Sequence, residues 1–180
     1  ELYWCDECKI PVYEDCCSLC GHEAKRLTKD IRPVFPEEKL LLEVLLDKQP
    51  GEFNQVSIWN GSGNVYYADG KRLPLSIKDL KKRNVEDIRE RYLARRDSMD
   101  TSFFDEMMKR FVRANQHRYE EITGEAFSYI QRETMDCPIG EMFISFSGGK
   151  DSTVVADVVE RALSTKRVLH IFGDTTLEFP

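Results

Sequence analysis

The sequence predicts an α/β protein in three parts: a short cysteine ribbon over 1–29, a small α+β hairpin module over 30–98, and a parallel strand–helix–strand unit within 99–180. Three observations predict it. Five of the six cysteines lie in the first twenty residues, four of them as two Cys-x-x-Cys pairs. Asn-Gly and Asp-Gly turn dipeptides punctuate a run of β-branched and aromatic residues near the middle. Near the carboxyl end, "FISFSGGKDSTVVADVV" reads as an apolar strand that turns through two glycines into a helix, and a second apolar run follows in "VLHIFGDTTLEFP".

In the ribbon, Cys5-x-x-Cys8 and Cys17-x-x-Cys20 are separated by eight residues. Each pair can bite one tetrahedral ion from a tight knuckle, and four thiolates close a structural site, so zinc is expected, with iron second. In a reducing compartment this spacing favours metal over disulfides. Gly21 fits a turn in which amides approach the sulfurs. Cys16 competes with Cys17, but the repeated two-residue spacing favours Cys17. His22 is read as a surface residue, because four cysteines leave no vacancy. The segment ends in the polar "EAKRLTKD" and is too short to bury a core without a staple. The arrangement resembles a small zinc ribbon, which implies either a folding staple or a docking and nucleic-acid contact.

In "DIRPVFPEEKLLLEVLL" two prolines signal a helix entry, and a short apolar helix is expected over Glu37–Leu46. A meander follows, with strands near 55–59, 64–68 and 71–74. Helical composition returns in "SIKDLKKRNVEDIRERYLARRD", with Ser76 as a cap. From Lys78 to Arg96 this segment holds eight basic and four acidic residues in a chain of net charge −6. Two readings stand: a solvated helix laced with ion pairs, or a nucleic-acid or partner platform formed with the ribbon and Trp59, Tyr66 and Tyr67.

Between Thr101 and Thr134 the apolar residues Phe104, Met108, Phe111, Tyr119, Ile122, Ala126 and Ile130 recur at helical steps, interrupted by Asn115. Unbroken, this stripe is about 50 Å of core-facing helix. Gly124 marks the expected break. Met142–Phe146 and Val168–Phe172 then flank a helix over Asp151–Leu163, a βαβ unit with a parallel pair and a right-handed crossover.

Within "SFSGGKDS", Gly148 and Gly149 permit the turn and a close backbone approach. The freed amides and the helix dipole favour an anion. Lys150 brings a full positive charge, Ser147 and Ser152 bring hydroxyls, and Asp151 suits a helix cap or magnesium. A Walker loop requires glycine where Ile144 stands and a hydroxyl residue where Asp151 stands, and no G-x-G-x-x-G fingerprint occurs.

"SGGKDS" after an apolar strand resembles the PP-loop of the adenine nucleotide alpha-hydrolase superfamily. "HIFGDTTLEFP" resembles the following strand and loop in the phosphoadenosine phosphosulfate (PAPS) reductase family. The resemblance covers roughly 142–180 and implies the amino-terminal part of a doubly wound, Rossmann-like parallel sheet with a nucleotide across the carboxyl ends of its strands. It implies phosphate contacts from Ser147, Gly148, Gly149, Lys150, Asp151 and Ser152, catalytic roles for Lys150 and Asp151, and Asp174, Thr175 and Thr176 beside the same nucleotide. A complete loop goes with ATP and magnesium: cleavage between the alpha and beta phosphates activates a substrate for sulfur transfer. The alternatives are reduction of PAPS or adenylyl sulfate (APS), and a scaffold that keeps the pocket as a nucleotide sensor. Reductases attack with a cysteine near the carboxyl terminus. Cys137 lies outside the match and is read as an ordinary half-buried thiol.

Two parallel strands cannot bury both faces, so further strands are expected beyond Pro180, and the 180 residues read as an amino-terminal fragment not expected to turn over alone. Hydrophobic residues make up 41% and charged residues 32%. With no run of about 18 apolar residues and no leader pattern, a cytoplasmic location and no membrane partner are expected. The acidity argues against a nucleic-acid coat protein.

Overall fold

The computed structural model describes residues 1–173 except positions 64 and 98, and leaves the side chains at 77 and 79 undescribed. The chain forms two compact units, Glu1–Gln116 and His117–Pro180.

The first unit begins with β1 (Leu2–Cys5), β2 (Ile10–Val12) and β3 (Lys25–Thr28), an antiparallel sheet in the order β2-β1-β3. A second antiparallel sheet, in the order β4-β5-β6-β7, is built from β4 (Ile31–Pro33), β5 (Ile58–Gly61), β6 (Val65–Ala68) and β7 (Lys71–Arg72). The expected meander is present; β4, which pairs with β5 through Pro33 and Trp59, is an addition to it. Between β4 and β5 lies α1 (Pro36–Leu45), with Pro36 in its first turn as the two-proline signal requires.

Strand β5 carries both cores. Successive side chains of a strand point to opposite faces, and here Ile58 joins Val34, Leu42 and Phe53 while Trp59 joins Trp4, Cys5, Ile10, Val12, Cys17, Ala24 and Met107. The ribbon therefore shares its core with β5 and with α4 (Ser102–Ala114), and this core crosses the 29/30 and 98/99 boundaries read from the sequence. The Trp59 indole donates to Ser57 Oγ at 2.8 Å, its ring lies 4.9 Å from that of Phe111, and Ser57 Oγ donates to Met107 Sδ at 2.9 Å. A fully buried Trp59 cannot stack on a base. The Tyr66 hydroxyl is committed to Glu38 at 2.7 Å, which Arg32 also grips with both nitrogens at 2.7 Å.

The basic segment is two helices, α2 (Ile77–Leu80) and α3 (Val85–Arg96). Ser76 precedes α2, whereas the longer α3 is capped by Asn84, which accepts from the amides of Glu86 and Asp87. Arg83 and Arg91 both reach Asp47, and Arg91 and Arg95 donate to the carbonyls of Val44 and Lys48. Helix α1 has no basic residue in its last turn, and α3 supplies the cations there. Much of the basic excess thus bolts two helices together.

The stripe over 101–134 breaks at Asn115, not at Gly124. Asn115 caps α4, while Gly124 lies inside α5 (Gln116–Thr134). Phe104, Met108 and Phe111 pack on the ribbon core, whereas Tyr119 and Ile122 are exposed.

In the second unit β8 (Phe143–Phe146) and β9 (Leu169–Phe172) pair in parallel, Phe143 opposite Leu169, with α6 (Lys150–Ala162) between them in the chain. Ile144, Ala156 and Val168 form its core. Cys137 is exposed, not half-buried. Among the described residues no helix is long and apolar enough to cross a membrane.

Candidate metal centre and glycine loop

The four predicted ligands converge. The Sγ atoms of Cys5, Cys8, Cys17 and Cys20 all lie within 4.8 Å of one another, with Cys5 to Cys20 at 3.5 Å and Cys8 to Cys17 at 3.8 Å. A tetrahedral ion with bonds of about 2.3 Å to sulfur needs edges of about 3.8 Å. The set fits zinc.

The backbone explains the convergence. Each pair closes a turn, with Lys9 N–H on Cys5 O at 2.9 Å and Gly21 N–H on Cys17 O at 2.8 Å. Both residues after the second cysteine of a pair are left-handed, Lys9 at φ 58° and Gly21 at φ 73°. Gly21 adopts that region freely, while Lys9 accepts strain that the knuckle repays. The Cys8 amide donates to Cys5 Sγ at 3.3 Å. Cys16 points elsewhere, its thiol 3.5 Å from Gly21 O, and it is Cys17 whose sulfur lies in the cluster.

Burial pushes the Cys5 thiol up to about 11 and raises that of Cys8 as well. Cys20 goes the other way, to about 6, because the His22 amide and then its imidazole donate to the sulfur. His22 is exposed, as expected, yet its ring bonds a ligand, and the Cys20 thiolate raises its own pKa. This outer contact was not read from sequence; a histidine two residues after a terminal ligand is the signal that points to it. Metal entry displaces protons from the buried thiols.

The second site is the turn between β8 and α6. Gly148 is left-handed at φ 77°, and Gly149 is the N-cap of α6 with extended backbone at φ −80° and ψ 168°. No side chain caps this end, so Asp151, expected as a cap or a magnesium ligand, lies exposed in the first turn. The serines close the loop internally: Ser147 Oγ donates to Ser152 Oγ at 3.2 Å, and Ser152 Oγ donates to Gly149 O at 2.9 Å. Ser147, Gly148, Gly149 and Lys150 are exposed, and Phe172 at the end of β9 sits under Gly148. The loop thus brings together six of the predicted residues at the carboxyl end of β8. Asp174, Thr175 and Thr176 lie outside the described residues.

Compared with family models, curated proteins and solved structures, the chain matches none. Among its described residues stand a cluster of four cysteines able to hold a metal ion in one unit and an uncapped glycine turn in the other.

Proposed function

We propose that the chain is the nucleotide-binding portion of a PAPS-reductase-like enzyme that holds ATP and cleaves it between the alpha and beta phosphates, activating a substrate for sulfur transfer. The observation that carries this reading is the uncapped amino terminus of α6 behind a left-handed Gly148, at the end of a strand in a parallel pair. Amides freed there point at solvent and the helix dipole adds positive charge, an arrangement suited to pyrophosphate. The absence of a side chain at both glycines lets phosphate oxygens approach the backbone. Lys150, the first residue of α6, supplies the charge that stabilises pyrophosphate as it leaves. Asp151, exposed one residue on, would then bind the magnesium that accompanies the phosphates. The four thiolates hold zinc as a structural ion.

The test is direct. ATP binding is measured by calorimetry on the native protein and on Lys150→Ala and Gly148→Val, and products from alpha-labelled ATP are resolved with full-length enzyme. Expected are AMP and pyrophosphate, with affinity reduced roughly 10- to 100-fold by Lys150→Ala, the loss of a hydrogen bond to a charged group. Sulfite from APS or PAPS with thioredoxin would replace this reading by a reductase. Binding without turnover of either would indicate a sensor. Equal affinity in all three proteins would remove the loop from nucleotide binding.

A further inference from the structure

We propose that the ribbon is a metal-dependent clamp on the carboxyl end of α4, the point from which the chain leaves the first unit. Four hydrogen bonds make the clamp. Asn115 Oδ1 accepts from the Tyr13 amide at 3.0 Å, Asn115 Nδ2 donates to Pro11 O at 3.1 Å and to Phe111 O at 2.9 Å, and Ser18 Oγ donates to Ala114 O at 2.8 Å. Three of them join segments about one hundred residues apart in sequence, and Asn115 is only 7% exposed.

The chemistry at each end is specific. The last carbonyls of a helix have no partner within it, and here Ala114 O receives the Ser18 hydroxyl, while Phe111 O, already bonded by the Asn115 backbone amide at 3.2 Å, also takes the Asn115 carboxamide. A buried carboxamide is costly unless both its ends are satisfied. The ribbon satisfies the Asn115 oxygen and shares its nitrogen. Every ribbon contributor is tied to a knuckle: Pro11 in β2 and Tyr13 just after it follow the Cys5–Cys8 turn, and Ser18 lies between Cys17 and Cys20. Both knuckles therefore reach the same helix end. A set of thiols organised by an ion holds the knuckles in register, and the free energy of metal binding is then shared with the clamp. Linkage makes the effect reciprocal: if the ion tightens the clamp, the clamp tightens the ion by the same factor. This inference rests on the metal reading of the cysteines and is independent of nucleotide binding.

Hydrogen exchange of the native protein loaded with zinc, before and after chelation, tests it. Chelation should speed exchange of the amides over 112–116 about tenfold or more, while amides in β5 and β6 keep their protection. With zinc still bound at one equivalent, Asn115→Ala should loosen the same amides and hasten zinc capture by a chromophoric chelator by a similar factor. Ser18→Ala, which removes one bond at a more exposed position, should do both to a smaller extent and serves if Asn115→Ala does not fold. Unchanged exchange over 112–116 after chelation would overturn the clamp. So would simultaneous loss of protection throughout β5 and β6, which would make the effect global, or variants that loosen the helix end without altering zinc release.

Discussion

Gly70 and Gly124 show how little a glycine says until its surroundings are known. Gly70 is left-handed at φ 76°, and a Cβ there would sit 2.5 Å from Nε1 and 2.6 Å from Cγ of Trp4. Gly70→Ala should destabilise the first unit by about 3 kcal/mol, from the left-handed penalty and overpacking together, read as a lower denaturant midpoint. Gly124 has nothing within 4 Å of its Cβ position and lies inside α5, so Gly124→Ala should stabilise by up to about 1 kcal/mol. The sequence reading took Gly124 for a break because propensity was the only term visible there. Asn115, which looked like an interruption, is the true break because its amide finds partners in the ribbon. Lys39 is a second residue whose role needs the fold. Its Nζ donates to Asn54 O at 3.1 Å and lies 5.1 Å from the Phe103 ring centroid, and burial pushes its pKa from 10.5 down to about 8. The unfolded chain therefore binds more protons between about pH 8 and 10.5, so the Lys39 contribution to stability rises with pH through that window and is lost as pH falls through 8. Denaturant midpoints for wild type and Lys39→Met at about pH 7.5 and about pH 9.5 should shift in favour of wild type by roughly 1 kcal/mol at the higher pH; a difference independent of pH would contradict it.

Among the elements, the ribbon was the most legible, because a two-residue spacing fixes which sulfurs can share an ion whatever the rest of the chain does. The unreadable part was conformational: nothing in Lys9 as a residue type announces a left-handed turn, and only the parallel with Gly21 explains it. The expected zinc stoichiometries follow. Cys16→Ser should retain one equivalent of zinc, since its thiol faces Gly21 O, whereas Cys17→Ser should lose most of it and loosen the ribbon around the cysteine cluster. Metal analysis after dialysis, with a thermal melt on each variant, checks both; equal zinc in the two variants would reverse the assignment. The helix α3 was legible in its helicity and ambiguous in its charge. Counting basic residues cannot reveal that Arg91 ends on a carbonyl in the last turn of α1 and Arg95 on the Lys48 carbonyl just beyond it.

At the scale of the molecule, the parallel pair and its glycine turn were readable from alternation and turn chemistry, but the core that the ribbon shares with β5 and α4 was not. Trp59 looked like an exposed hairpin aromatic because local pattern gives a strand without saying whether both its faces are covered. It is the ribbon packing on the far face of β5 that buries it. The second unit presents the opposite case. Ile144 and Val168 face α6, so Phe143 and Ser145 point away from it, and register places Leu169 and Ile171 beside them on that side. Phe143, Leu169 and Ile171 are 61%, 61% and 45% exposed, an apolar sheet face of the kind that parallel strands ordinarily bury. A hydrophobic dye such as anilinonaphthalene sulfonate should therefore bind this chain in its native state with a blue-shifted emission. Leu169→Thr with Ile171→Thr places a β-branched residue at both positions of β9 and so preserves strand propensity, yet it should remove most of the dye signal. The same exchange at Val85 and Leu93, exposed on α3, should leave the signal nearly unchanged because they sit two turns apart on a helix without buried residues. Equal loss from both pairs would mean that dye binding reports scattered surface apolarity instead of one continuous sheet face.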